Sequence, residues 1–279
     1  MIEVNDKKEL IKIIEGRKIP LDEIIIGKEL TDMSYLFYGI KEIKGDISKW
    51  DVSNIRDMKE MFTNSEINPD ISNWDVSSVK DMTNMFNGSK FNNDISNWDV
   101  SKVVNMSGMF YLSKFNKDIS KWNVSNVINM SYMFNKSKFD QVISKWNVSN
   151  VRDMSSMFYE SKFNQDVSNW DVSNVRNMRN MFAYSSFNQD ISNWDVSNVV
   201  DMNGMFNSSI FNHDISNWDV SNVVDMSWMF SDSEFNQDIS NWNIQNLRDM
   251  SDMFKNSELE KEGNLPKWYK KLLIKEKLT

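Results

Sequence analysis

A tryptophan returns every 24 residues, at Trp50, Trp74, Trp98, Trp122, Trp146, Trp170, Trp194, Trp218 and Trp242, with no insertion between copies. The stretch from Trp194 to Asn217, WDVSNVVDMNGMFNSSIFNHDISN, shows the unit in full. A fixed period of this length marks stacked units, none of which can bury its apolar face alone. Positions are numbered below from each tryptophan. Apolar residues recur at minus 3, plus 2, 5, 8, 11, 12 and 17, as in Ile47, Val52, Ile55, Met58, Met61, Phe62 and Ile67. Together with the tryptophan they form one continuous core when copies stack. Of the 20 methionines, all but Met1 fall at core positions, where a flexible thioether fills space well and has no need to bind a metal.

The spacing Ile47-x-x-Trp50-x-Val52 predicts a short strand, with Trp50 and Val52 on the inward face. Asp57 then stands where a helix N-cap belongs, and Met58, Met61 and Phe62 follow at i, i+3 and i+4, which predicts a short outer helical turn. The expected fold is a leucine-rich-repeat-like α/β solenoid of ten turns, spanning residues 21–259. Residues 1–20 are expected to form an N-terminal helical cap starting at Asn5 or Asp6 and ending near Pro20. Residues 260–279 are expected to form a C-terminal helical cap opened by Pro266, with Lys267, Lys270, Lys271 and Lys275 facing out.

The phrase DISNWDVSNVxDMxxMF resembles the repeats of BspA-like leucine-rich repeat surface proteins, over residues 21–258. That resemblance implies a bacterial surface or secreted protein, in some members one that adheres to host proteins. It carries over no catalytic residue. The amino end, MIEVNDKKELIKII, has no apolar leader core and no lipidation cysteine, a departure that leaves the surface location open. As written, the chain is expected in the cytoplasm, and at the surface or secreted if a leader was removed. No stretch reaches 18 apolar residues, so no membrane insertion is expected.

The chain has no cysteine and a net charge of −8. Thiol chemistry and cysteine metal sites are excluded, and general nucleic-acid binding is disfavoured. Asp and Asn alternate freely at plus 1 and plus 7, a mixture that suits turn hydrogen bonding better than calcium. Serine recurs in every copy at plus 15 and minus 2, which reads as structure. His213, the one histidine, replaces a residue that is mainly Gln at plus 19 and is expected to face solvent. No cofactor, no metal and no enzymatic activity are therefore expected.

Recognition is expected where the copies differ, at plus 6, 9, 10, 13, 14 and 16. Tyr35, Tyr38, Tyr111, Tyr132, Tyr159 and Tyr184 all fall at plus 10, 13 or 14, and Trp228 at plus 10. Lys90, Lys114, Lys138 and Lys162 form a ladder at plus 16. Exposed aromatics beside like charges point to a binding stripe. The expected candidates are Tyr111, Tyr132, Tyr159, Tyr184, Trp228 and those four lysines. The expected function is a non-enzymatic scaffold for a protein or surface polymer. The alternative is a structural or self-associating repeat protein.

Overall fold

The computed structural model describes residues 1–276, with side chains through residue 274. The side chain of Lys275 and residues 277–279, which belong to the expected C-terminal cap, lie outside the described residues. Each repeat is hydrogen-bonded to the next, and Trp and Phe recur through the core at 24-residue spacing. This is a tandem-repeat protein.

Neither the expected strand nor the expected helical turn forms. Trp50 N–H donates to Ile47 O at 3.1 Å and Ile55 N–H to Val52 O at 2.9 Å, so the first part of the unit is two turns. The Asp57–Phe62 stretch is a chain of tight turns: Met61 N–H to Met58 O, then Thr63 N–H to Glu60 O, then Ser65 N–H to Phe62 O. The alternate amides leave the repeat altogether. Met58, Glu60, Phe62 and Asn64 donate to Asp81 O, Thr83 O, Met85 O and Asn87 O of the next copy, at 3.0, 2.8, 2.8 and 2.7 Å. A helix needs those amides for its own i−4 carbonyls, and it tolerates no left-handed residue. Yet φ is +54° at Glu60 and +56° at Asn64. The i, i+3, i+4 spacing reported correctly which side chains turn inward, but a bonded neighbour above and below removes the reason to close a helix. Between residues 27 and 257 the parallel pairing is reduced to single bridges at plus 7, from Asp32–Asp57 through Asp225–Asp249.

The frame residues have visible jobs. Each indole N–H donates to the minus 3 carbonyl of the preceding copy, as in Trp74 to Ile47 O at 2.9 Å and Trp146 to Ile119 O at 3.1 Å. The plus 12 phenylalanines stack, with Phe110, Phe134 and Phe158 centred 5.7 and 5.8 Å apart. Aspartates at minus 4, plus 1 and plus 7 each accept from the amide two residues on. Examples are Asp46 from Ser48, Asp51 from Ser53 and Asp57 from Lys59, at 2.9, 3.0 and 2.8 Å. The hydroxyl and amide of Ser48 hold Asp46 below the ordinary carboxylate range, whereas burial, aided by Asp32 and Asp81, raises Asp57. The plus 15 serines are buried, and the Ser89 hydroxyl accepts from Phe91 N–H at 3.0 Å.

At the amino end, β1 (Ile2–Val4) pairs in parallel with β2 (Ile24–Ile26), with Ile2 opposite Ile24. The strand β1 was not expected within residues 1–20. The helix α1 (Lys7–Gly16) joins the two strands, capped by Asp6, whose side chain accepts from Glu9 N–H. At the other end, α2 (Glu258–Lys261) leads to α3 (Lys267–Glu276). Trp268 of α3 donates to Ile239 O at 3.1 Å, the bond that the tryptophan of a further repeat would make. Tyr269 meets Phe254 edge-on at 4.9 Å.

Candidate binding face

The left-handed positions plus 10 and plus 14 lie along one ledge, on which the large side chains Tyr35, Leu112, Tyr132, Tyr184 and Trp228 are exposed while Ser156 is buried. A residue with positive φ stands at each of these positions, beside the core that its neighbours at plus 11 and 12 fill. Tyr132, Tyr184 and Trp228 are exposed, while Tyr111 and Tyr159 at plus 13 are half-buried.

These aromatics gather in two grooves. Tyr111 and Tyr132 line an opening of about 300 Å³ with Asn84, Asn87, Ser107, Gly108 and Ser131. Tyr159, Tyr184 and Trp228 line another of about 410 Å³ with Asn180, Gly204, Asn207, Ser231, Asp232, Asp252 and Lys255. Tyr159 and Tyr184 lie 5.4 Å apart. Lys136 Nζ stands 5.5 Å above the Tyr159 ring and 3.1 Å from Glu160. Burial, then the Glu160 carboxylate, raises the Tyr159 phenol above its ordinary value. Trp228 N–H reaches Asp252 at 3.2 Å.

The lysines at plus 16 are exposed and line neither groove. Lys90 pairs with Glu66. His213 does not simply face solvent: it is half-buried, with Nε2 3.0 Å from Asn188 O, where Gln237 Nε2 reaches the equivalent Asn212 O. Among the described residues no group of three or more His, Asp or Glu is placed to hold a metal ion. No described helix is long and apolar enough to cross a membrane.

Asn84, Gly108, Asn180 and Gly204 belong to the grooves but not to the expected site. Their signal was present in the sequence, because Gly and Asn recurring at one repeat position mark a left-handed backbone.

Bonded 24-residue units with an invariant aromatic core and a variable ledge define a tandem-repeat protein. The family model described as "Mycoplasma protein of unknown function, DUF285" matches residues 31–138, 88–185, 112–209 and 161–268, and the chain belongs to that family. No curated protein and no solved structure matches it.

Proposed function

We propose that the protein is a non-enzymatic binding scaffold. The repeats of residues 21–259 wind into one solenoid, capped by residues 1–20 and 260–279, and the ledge meets a protein or a surface polymer. One observation carries this reading. Tyr132, Tyr184 and Trp228 are held about half exposed at φ of 58°, 56° and 56°, where bulky side chains are disfavoured. Gly and Asn occupy the same two rows without that cost, which supports a use for the exposed rings outside the chain. The resemblance to BspA-like surface proteins supports the same reading, adhesion included, and favours the cell surface. Capture from a lysate and from host extracellular material tests it. A partner retained by the wild type is expected to be lost when Tyr111, Tyr132 and Tyr159 become Ala and Lys114 and Lys138 become Glu. Equal capture by both would remove the ledge from the account.

Self-association is a second reading with its own observation. Along plus 6, Val104 and Ile128 precede Arg152 and Arg176, and Val200 and Val224 precede Arg248. Val104, Ile128 and Val200 are exposed, and among the described residues none of these arginines has a carboxylate within 4.0 Å. A second copy offers the aspartates of its minus 4 row as counter-charges. If sedimentation shows a strict monomer at high concentration, self-association is excluded; if it shows a dimer that dissociates in Arg152→Glu/Arg176→Glu, this row is the contact.

A further inference from the structure

The plus 10 row has an order of its own. Aromatics stand at Tyr35, Tyr132 and Trp228, four repeats apart. Gly108 and Gly204 precede the later two by one repeat, and Asn84 and Asn180 by two. The order is not a uniform imprint of copying. Four repeats on, Tyr111 at plus 13 is answered by Asn207, and Lys136 at plus 14 by Asp232. Row plus 6 keeps the period, with Arg152 answered by Arg56 and Arg248, so rows plus 6 and plus 10 share a unit of four repeats.

Each aromatic, Gly, Asn set builds a notch. Gly108 and Gly204 adopt φ of 60° and 61°, and a Cβ on either would stand 2.0 or 2.1 Å from the Oδ1 of Asn84 or Asn180. Glycine thus admits the asparagine carboxamide beside the ring of the following repeat. The result is an aromatic wall, an amide, and the serines at plus 9, Ser107 and Ser131, around the first notch.

We propose that the two notches are subsites for a neutral glycan. Tyr132 and Trp228 would each lie against the C–H face of one sugar ring, and the carboxamides and hydroxyls would bond its hydroxyl groups. This rests on the reading of the ledge as a binding face and names its ligand class. The chemistry excludes the other occupants. No charged side chain lines the first notch, and the second carries both signs, with Asp232 and Asp252 beside Lys255, so neither an acidic nor a basic peptide meets a consistent counter-charge across the two. The backbone amides of the ledge are already bonded to the next copy, so no free edge accepts an added strand. The net charge of −8 repels a nucleic acid. Openings of about 300 and 410 Å³ suit small ligands rather than a domain. At about 4.8 Å per stacked repeat the subsites lie roughly 19 Å apart, within reach of one oligosaccharide.

The test titrates the full chain by calorimetry with cello-, malto-, manno- and chito-hexaose and the matching disaccharides. One hexaose series is expected to bind, more tightly than its disaccharide because it reaches both notches. Tyr132→Asn and Trp228→Asn should each weaken it about tenfold, and the pair should abolish it while the thermal melt remains cooperative. Binding that is unchanged in the double variant, or no binding of any hexaose at millimolar concentration, overturns the proposal. If the hexaoses fail while a captured protein is lost in the double variant, the ligand class is wrong and the binding face stands.

Discussion

Phe134→Ala lowers the stability of the chain by about 3–5 kcal/mol, the cost of emptying a filled aromatic site. Phe134 is fully buried, stacked between Phe110 and Phe158, 4.1 Å from Phe139 and 6.3 Å from Trp146. Neighbouring repeats cannot slide together to fill the void, because their backbones are pinned by bonds such as Phe134 N–H to Met157 O at 3.0 Å. The position in the stack matters as well as the volume. Stability in such arrays is a sum of repeat and neighbour contributions, so a defect in the middle separates two halves that retain their own contacts. Denaturant melts should therefore broaden or split for Phe134→Ala. A single sharp transition at the wild-type midpoint would contradict this picture of the core.

Trp146→Phe is expected to cost about 1–3 kcal/mol although the ring remains aromatic. The substitution removes one of two donors to Ile119 O, the indole N–H at 3.1 Å, and leaves the Trp122 N–H on that carbonyl, so the cost is that of one inter-repeat hydrogen bond and the lost ring area. The same bond is made by every repeat tryptophan, and Trp268 makes it from α3, so the indole acts as a rung between copies as much as a filler. The matching change Trp268→Phe should cost less, because Trp268 is only partly buried and Ile239 O keeps the Trp242 N–H. Chemical denaturation of the two variants side by side distinguishes these cases; equal losses would mean that the ring area, and not the hydrogen bond, dominates.

The repeat length, the stacking and the inward positions were legible because burial repeats where composition repeats. Trp146, Val148, Val151, Met154, Met157 and Phe158 are each no more than 3% exposed. The backbone between them was not legible from the same signal. Met58, Met61 and Phe62 sit at a helical interval, but an interval of side chains says nothing about where the amides go, and those of Met58 and Phe62 go to the next copy. The better evidence was the recurrence of Gly and Asn at Asn84, Gly108, Asn180 and Gly204, which a helix interior would disfavour. Tyr132, Trp228 and Glu60 at the same position obscured it. The aromatic part of the site was readable for the same reason that it is unusual, since large rings stand where the frame varies. The grooves were not readable, because each joins residues from successive repeats, such as Asn84, Gly108 and Tyr132. The plus 16 lysines followed a regular row on the sequence but lie beyond both openings.

The most direct test of the central claim compares wild type with the Tyr132→Asn/Trp228→Asn chain for thermal stability and for partner capture in the same preparation. Asn is at ease in a left-handed backbone, so relief of strain should raise stability by about 1 kcal/mol for each site, while the captured partner is lost. A double variant that melts higher and still retains the partner would show that these exposed rings are not what the ledge binds with.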